Sequence, residues 1–126
     1  MLIIRRFTFV AICLLLLSGC AAALIAAGVV TGYSISNDSA MGNVKSEYRV
    51  LWDISMDILE SMEAEVLLVK ESQGLIKAKV SEHSVVVKIN SISSDNQRLK
   101  VSAKRNFLPK PQMAQKIFFK IVEDLR

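Results

Sequence analysis

The chain has one histidine, two cysteines, two prolines and a single tryptophan in 126 residues. Two cysteines cannot build a disulfide scaffold. The lone His83 has no partner at metal-ligand spacing, and the chain carries no glycine-rich phosphate loop, nucleophile elbow or Ca²⁺ loop. Five glycines are too few for a collagen-like chain, and a hydrophobic content of 52% excludes a wholly disordered one. The length allows one domain and is too short for a multi-domain enzyme. Charge is missing from one region in particular. Phe7–Leu17 and Ala21–Val30 hold no charged residue, although 22% of the whole chain is charged.

What is present begins with an address. Arg5 and Arg6 precede the apolar stretch Phe7–Leu17, and Leu17-Ser18-Gly19-Cys20 follows. Cations that stay on the cytoplasmic side while an apolar helix enters the membrane are the order of a secretory leader, the expected signal peptide of residues 1–19. Leu at −3, small residues at −2 and −1 and Cys at +1 resemble the lipobox of bacterial lipoproteins. The resemblance implies that the Cys20 thiol receives a diacylglyceryl group and that a peptidase cuts between Gly19 and Cys20. The freed amino terminus would then take a further acyl chain such as palmitate. A buried methylene contributes about 0.8 kcal/mol, so three chains on one cysteine amount to lasting attachment. Ala21 at +2 is not the Asp of inner-membrane retention, which implies an outer-membrane anchor with the body in the periplasm. The alternative is an uncleaved signal anchor, because Phe7–Val30 is an uncharged run of 24 residues, long enough to span a bilayer. Cys13 follows the bulky Ile12 and is expected to leave with the leader. Loss of residues 1–19 takes Arg5 and Arg6 from the 16 basic residues, leaving 14 against 12 acidic ones. So small a net charge gives no reason to expect nucleic-acid binding.

Residues 20–45 read as a lipidated apolar segment and linker. Residues 21–33 are too short to cross a hydrocarbon core as a helix. They suit either a place in the interface beside the acyl chains or a flexible spacer. Residues 34–45 are rich in Ser, Asn and Gly, a linker composition.

The folded body is expected over residues 46–126. Glu47–Val50 reads as a short strand and Leu51–Glu63 as a helix, with Leu51, Ile54, Ile58 and Met62 on one face and Asp53, Asp57 and Glu60 opposite. Val66–Lys70, Leu75–Val80, Val85–Asn90 and Arg98–Lys104 read as strands, the last three alternating apolar and polar with period two. Ser91–Gln97 reads as a polar loop. Pro109 and Pro111 mark the start of a last helix carrying Met113, Ile117, Phe118, Ile121, Val122 and Leu125 inward. The order strand, helix, four strands, helix predicts an α+β fold. Its antiparallel sheet of four to five strands has both helices on one face. The expected core is Leu51, Ile54, Ile58, Met62, Ile76, Ala78, Val85, Val87, Ile89, Leu99, Val101, Ile117, Ile121 and Leu125.

The lipobox, the apolar tail ending in Gly32-Tyr33, and the segments Tyr48-Arg49-Val50-Leu51-Trp52, Gly74-Leu75-Ile76-Lys77-Ala78 and Val85-Val86-Val87-Lys88-Ile89 together resemble a family of small bacterial lipoproteins of unknown function. Trp in the first helix, followed by a Gly-Ile-Ala strand, is similar to domains of outer-membrane assembly lipoproteins. These resemblances imply a location and a fold. They also imply a second possible role, as an accessory subunit of an outer-membrane assembly or lipid-transport machine.

Chemistry-bearing residues are few. Glu82-His83 could pair as acid and base, but no nucleophile lies nearby, and an exposed loop histidine accounts for it. Asp53 and Asp57, one helical turn apart, fit the solvated face of a helix better than a cation site. The expected protein is therefore non-enzymatic, with no cofactor and no metal. One pattern stands out. The strand registers send Lys77, Lys79, Lys88, Arg98, Lys100 and Lys104 to the sheet face away from the helices, with no acid among them. Such a face could meet anionic lipid or an acidic envelope partner, or could simply solvate an open sheet. For the anchor, Cys20→Ala is expected to abolish fatty-acid labelling and leave an uncleaved precursor. Unchanged labelling and processing would contradict the lipobox reading.

Overall fold

The computed structural model describes residues 2–17 and 30–125. Leu2–Leu17 is a helix, α1, as the apolar run requires. The body follows as β1 (Val30–Ile35), β2 (Ser39–Lys45), α2 (Tyr48–Ser61), β3 (Glu65–Lys70), β4 (Leu75–Val80), β5 (His83–Ser93), β6 (Asn96–Arg105), β7 (Leu108–Pro109) and α3 (Pro111–Asp124). It is an α+β fold. The strands form one seven-stranded antiparallel sheet in the order β1-β2-β6-β5-β4-β3, with β7 paired to the end of β6.

Several expectations fail, beginning with the strand count, which is seven rather than four to five. The supposed linker over 34–45 contains β2, and the end of the apolar spacer supplies β1. Ala40 and Val44 face inward opposite Val101 and Gln97, and both are fully buried. Small and polar residues at the other β2 positions hide that alternation from a reading of composition. The strand expected at Glu47–Val50 is instead the first turn of α2. Tyr48 and Trp52 lie one turn apart and stack with centroids 6.2 Å apart, which uses helical rather than extended spacing.

The inner face of the sheet and the two helices enclose the core. Eleven of the fourteen expected core residues are buried, while Ile54, Met62 and Leu125 lie at its margin. The buried face of α2 is turned toward Trp52, Ser55 and Leu59, and α3 adds Ala114, Phe118 and Val122. Ser55 satisfies its buried hydroxyl by donating to the Leu51 carbonyl at 2.8 Å. Phe118 packs onto Gly42 of β2, where a Cβ would sit 3.1 Å from the ring and 3.0 Å from Val30 Cγ1, so both neighbours would have to shift by a few tenths of an ångström. Pro111 occupies the first turn of α3, where its missing N–H costs nothing. Pro109 belongs to β7 instead, opposite Lys104.

The polar loop expected at Ser91–Gln97 is a turn of two residues between long strands. Gln97 explains why. Its side chain is fully buried, accepts from Ser91 Oγ at 2.6 Å, and donates to the carbonyls of Ser93 at 3.1 Å and Ser46 at 3.2 Å. One amide thus closes the β5–β6 hairpin and ties it to the entry of α2. At the far side of β5, Gly74 adopts a left-handed φ of 64° and accepts a hydrogen bond from the Ile89 N–H at 2.8 Å. A Cβ there would lie 2.0 Å from the Ile89 carbonyl oxygen, so only glycine fits.

Candidate functional site: the basic face of the sheet

Period-two geometry sends alternate residues of β4, β5 and β6 to opposite faces. Ile76, Ala78 and Val80, then Val85, Val87 and Ile89, then Gln97, Leu99, Val101 and Ala103 point into the core. Lys77, Lys79, Lys88, Arg98, Lys100 and Lys104 therefore point outward, and all six are exposed. α2 and α3 lie on the inner face, packed on the core.

The register determines how these cations meet. Lys88 lies directly opposite Lys100. Lys79 pairs with Ser84, which pairs in turn with Lys104, and Lys77 faces Val86. Arg98 sits between Asn90 and Asn43. Neighbouring strands are about 4.8 Å apart and alternate residues along a strand about 6.7 Å apart, so the cations form a patch rather than isolated points. Like charges directly opposite each other on adjacent strands destabilise a sheet. Among the described residues no acid pairs with Lys77, Lys79, Lys88, Arg98 or Lys100.

The structure corrects the composition of this face at both margins. It is not free of acids: Asp38 reaches Lys104 at 3.8 Å, and Glu65 of β3 lies across from Lys79. It is also larger than expected. Lys70 pairs with outward Leu75, and Lys45 with Asn96, which extends the basic surface onto β3 and β2. Lys45 was hidden in a segment read as linker. Lys70 was hidden by a bulge between Val66 and Leu68 that breaks the alternation of β3. Leu68, Leu75, Val86 and Met41 also point outward and are only half-buried. Lysine stems beside them cover part of that apolar area while the ammonium groups stay in water.

The remaining candidates do not converge. Cys20 lies outside the described residues. His83 opens β5, half-buried, with Nδ1 3.2 Å from the Val80 carbonyl and 3.1 Å from that of Ser81. It is a hairpin residue rather than an exposed loop histidine. Glu82 is held by Arg105 at 2.9 Å and does not act as its partner. Asp53 pairs with Arg49 at 3.6 Å, and Asp57 is exposed on the same face of α2. On the helical side Asp53, Asp57 and Glu60 belong to α2, while on α3 Lys116 and Lys120 accompany Glu123 and Asp124. Burial raises the phenol pKa of Tyr33 and of Tyr48, the latter helped by the Glu71 carboxylate, so both stay neutral. Among the described residues no three metal-ligating groups cluster. Open hollows run along α1, one lined by Ile3, Arg6, Phe7 and Val10 and another by Ile3, Ile4, Phe7, Thr8 and Ala11.

No family model and no curated protein matches the chain. Among solved structures, a conserved protein of unknown function from Enterococcus faecalis is similar over 77% of each chain, at 8% identity and a TM-score of 0.37.

The opposed pair generates a measurable consequence. Lys100→Glu turns a repulsive cross-strand contact into an attractive one and is expected to raise stability by about 0.5–1 kcal/mol at low salt. The gain should shrink as salt is added. Denaturant unfolding checks this, and an unchanged or lower stability would mean that Lys88 and Lys100 do not feel one another.

Proposed function

We propose that the protein is a non-catalytic, lipid-anchored lipoprotein of the bacterial cell envelope whose sheet docks face-on against an anionic membrane surface. Cys20 carries the anchor, and Lys77, Lys79, Lys88, Arg98, Lys100 and Lys104 make the contact. The observation that carries this reading is the unneutralised opposition of Lys88 and Lys100 in the middle of the patch. A face built only for solubility could mix signs at no cost. An arrangement that keeps like charges opposed relaxes when an anionic layer supplies the missing countercharge.

Two further observations support it. The side chains of Leu2, Ile3, Ile4, Phe7, Phe9, Val10 and Ile12 on α1 are exposed, and Thr8 returns its hydroxyl to the Ile4 carbonyl at 2.7 Å. A helix with an apolar surface and its one hydroxyl satisfied internally suits an apolar medium, as a leader crossing a membrane requires. No described helix is long and apolar enough to cross a membrane by itself. Ten residues lead from Cys20 to Val30, a reach of at most about 35 Å. That is enough for the sheet to lie flat on the surface that holds the acyl chains.

Each basic group brought near an anionic bilayer contributes about 1 kcal/mol. The protein bearing Lys88→Gln, Lys100→Gln and Arg98→Gln, bound by its anchor to vesicles, should lose the salt-sensitive contact of its body with phosphatidylglycerol bilayers. The parent protein should show that contact, and neither should show it on phosphatidylcholine. Fluorescence quenching between labelled lipid and a dye on the body reads the distance. Equal quenching for both proteins on both lipids would contradict the docking reading.

A further inference from the structure

The sheet ends at β3 on one side, and that edge is open. Exposed edge strands are usually short or broken up by charge, because their free N–H and C=O groups template pairing with another chain. β3 does the reverse in its middle. Val66 is 43% exposed, Leu67 61% and Val69 43%, three large apolar side chains on one short edge strand. Its charges are confined to its ends, Glu65 and Lys70.

The order of those residues, Glu-Val-Leu-Leu-Val-Lys, is complementary to itself when reversed. Laid antiparallel on a second copy, β3 sets Glu65 against Lys70, Val66 against Val69 and Leu67 against Leu68, each contact occurring twice. The bulge makes this pattern three-dimensional. Glu65 and Lys70 both lie on the outer face, opposite Lys79 and Leu75, while Val66 and Val69 lie on the inner face, opposite Ala78 and Ile76. Leu68 lies opposite Lys77, and Leu67 is the extra residue of the bulge. The charged pair and the valine pair therefore each fall on matched faces, as an antiparallel ladder needs.

We infer that two copies of this chain associate through β3, joining their sheets across a twofold axis into one continuous antiparallel sheet. A same-patch contact of this kind closes after two subunits, whereas pairing β3 with β1 would leave a free edge at each end and run on as an open array. β1 has no charged residue, so it offers nothing complementary to either end of β3. Antiparallel joining keeps the outer faces of both copies on the same side, so their basic patches become one surface. The inference does not depend on what that surface binds.

Charge exchange on the full-length protein in mild detergent tests it. Sedimentation velocity should show two protein copies per particle. Glu65→Lys alone sets lysine against lysine at both ends of the ladder, and Lys70→Glu sets acid against acid. Each is expected to weaken association about tenfold. Mixing these two variants in equal amounts, or combining both changes in one chain, restores opposite charges at every end and should restore the dimer. Circular dichroism and thermal melts of each variant establish that the body is still folded. A protein that stays monomeric at about 100 μM would overturn the inference, as would a dimer whose affinity ignores the single exchanges or is not recovered by the mixture.

Discussion

The register between β5 and β6 is the constraint on which the rest of the molecule depends. Because side chains alternate with period two, a slip of β6 by one residue would bury Arg98, Lys100 and Lys104 and expose Leu99, Val101 and Ala103. Burying several unpaired cations costs far more than a small domain's entire stability. The chain reinforces the correct register locally. Gln97 closes the hairpin from inside, and the approach of Gly74 to Ile89 holds the far side of β5. The same pairing that secures the core therefore creates the basic face, and neither can change without the other.

That coupling explains why the charges of the protein are unevenly distributed over its faces. Cations gather on the outer face because the inner positions of β4 to β6 are committed to the core, while the acids of α2 lie on the opposite layer, where Arg49 also holds Asp53 and Glu71. Among the described residues, acids reach the basic face at its margins, through Asp38 and Glu65. The middle, where Lys88 meets Lys100, has no acidic partner among the described residues. The proposed docking on an anionic surface would supply the countercharge that this local arrangement lacks.

Much of this was legible in the sequence because alternation is a strong signal where lysine and β-branched residues interleave. Leu75–Val80 is such a segment, and its orientation and basic positions follow directly. The same holds for the buried face of the last helix. β1 and β2 were not legible, since Ser39-Ala40-Met41-Gly42-Asn43-Val44-Lys45 alternates in burial but has little hydrophobic contrast. Its Gly42 looks like a linker residue but is the small site that receives Phe118. The first turn of α2 was misread because Tyr48-Arg49-Val50 has strand composition, and only the contact between Tyr48 and Trp52 reveals the helical spacing. Open edges are tertiary facts, so the complementarity of β3 gains meaning only once that strand is known to end the sheet.

The fold thus offers lysines in two settings that differ in orientation but not in chemistry. Lys77, Lys79, Lys88 and Lys100 belong to the outer face, while Lys116 and Lys120 belong to α3 on the other side of the core. Acetylation footprinting of the full-length protein bound to bilayers compares them within one molecule by mass spectrometry. On anionic bilayers the four sheet lysines should be protected relative to neutral bilayers, while the two helix lysines react equally on both. Equal reactivity of all six on the two surfaces, or protection of the helix lysines instead, would contradict face-on docking of the sheet.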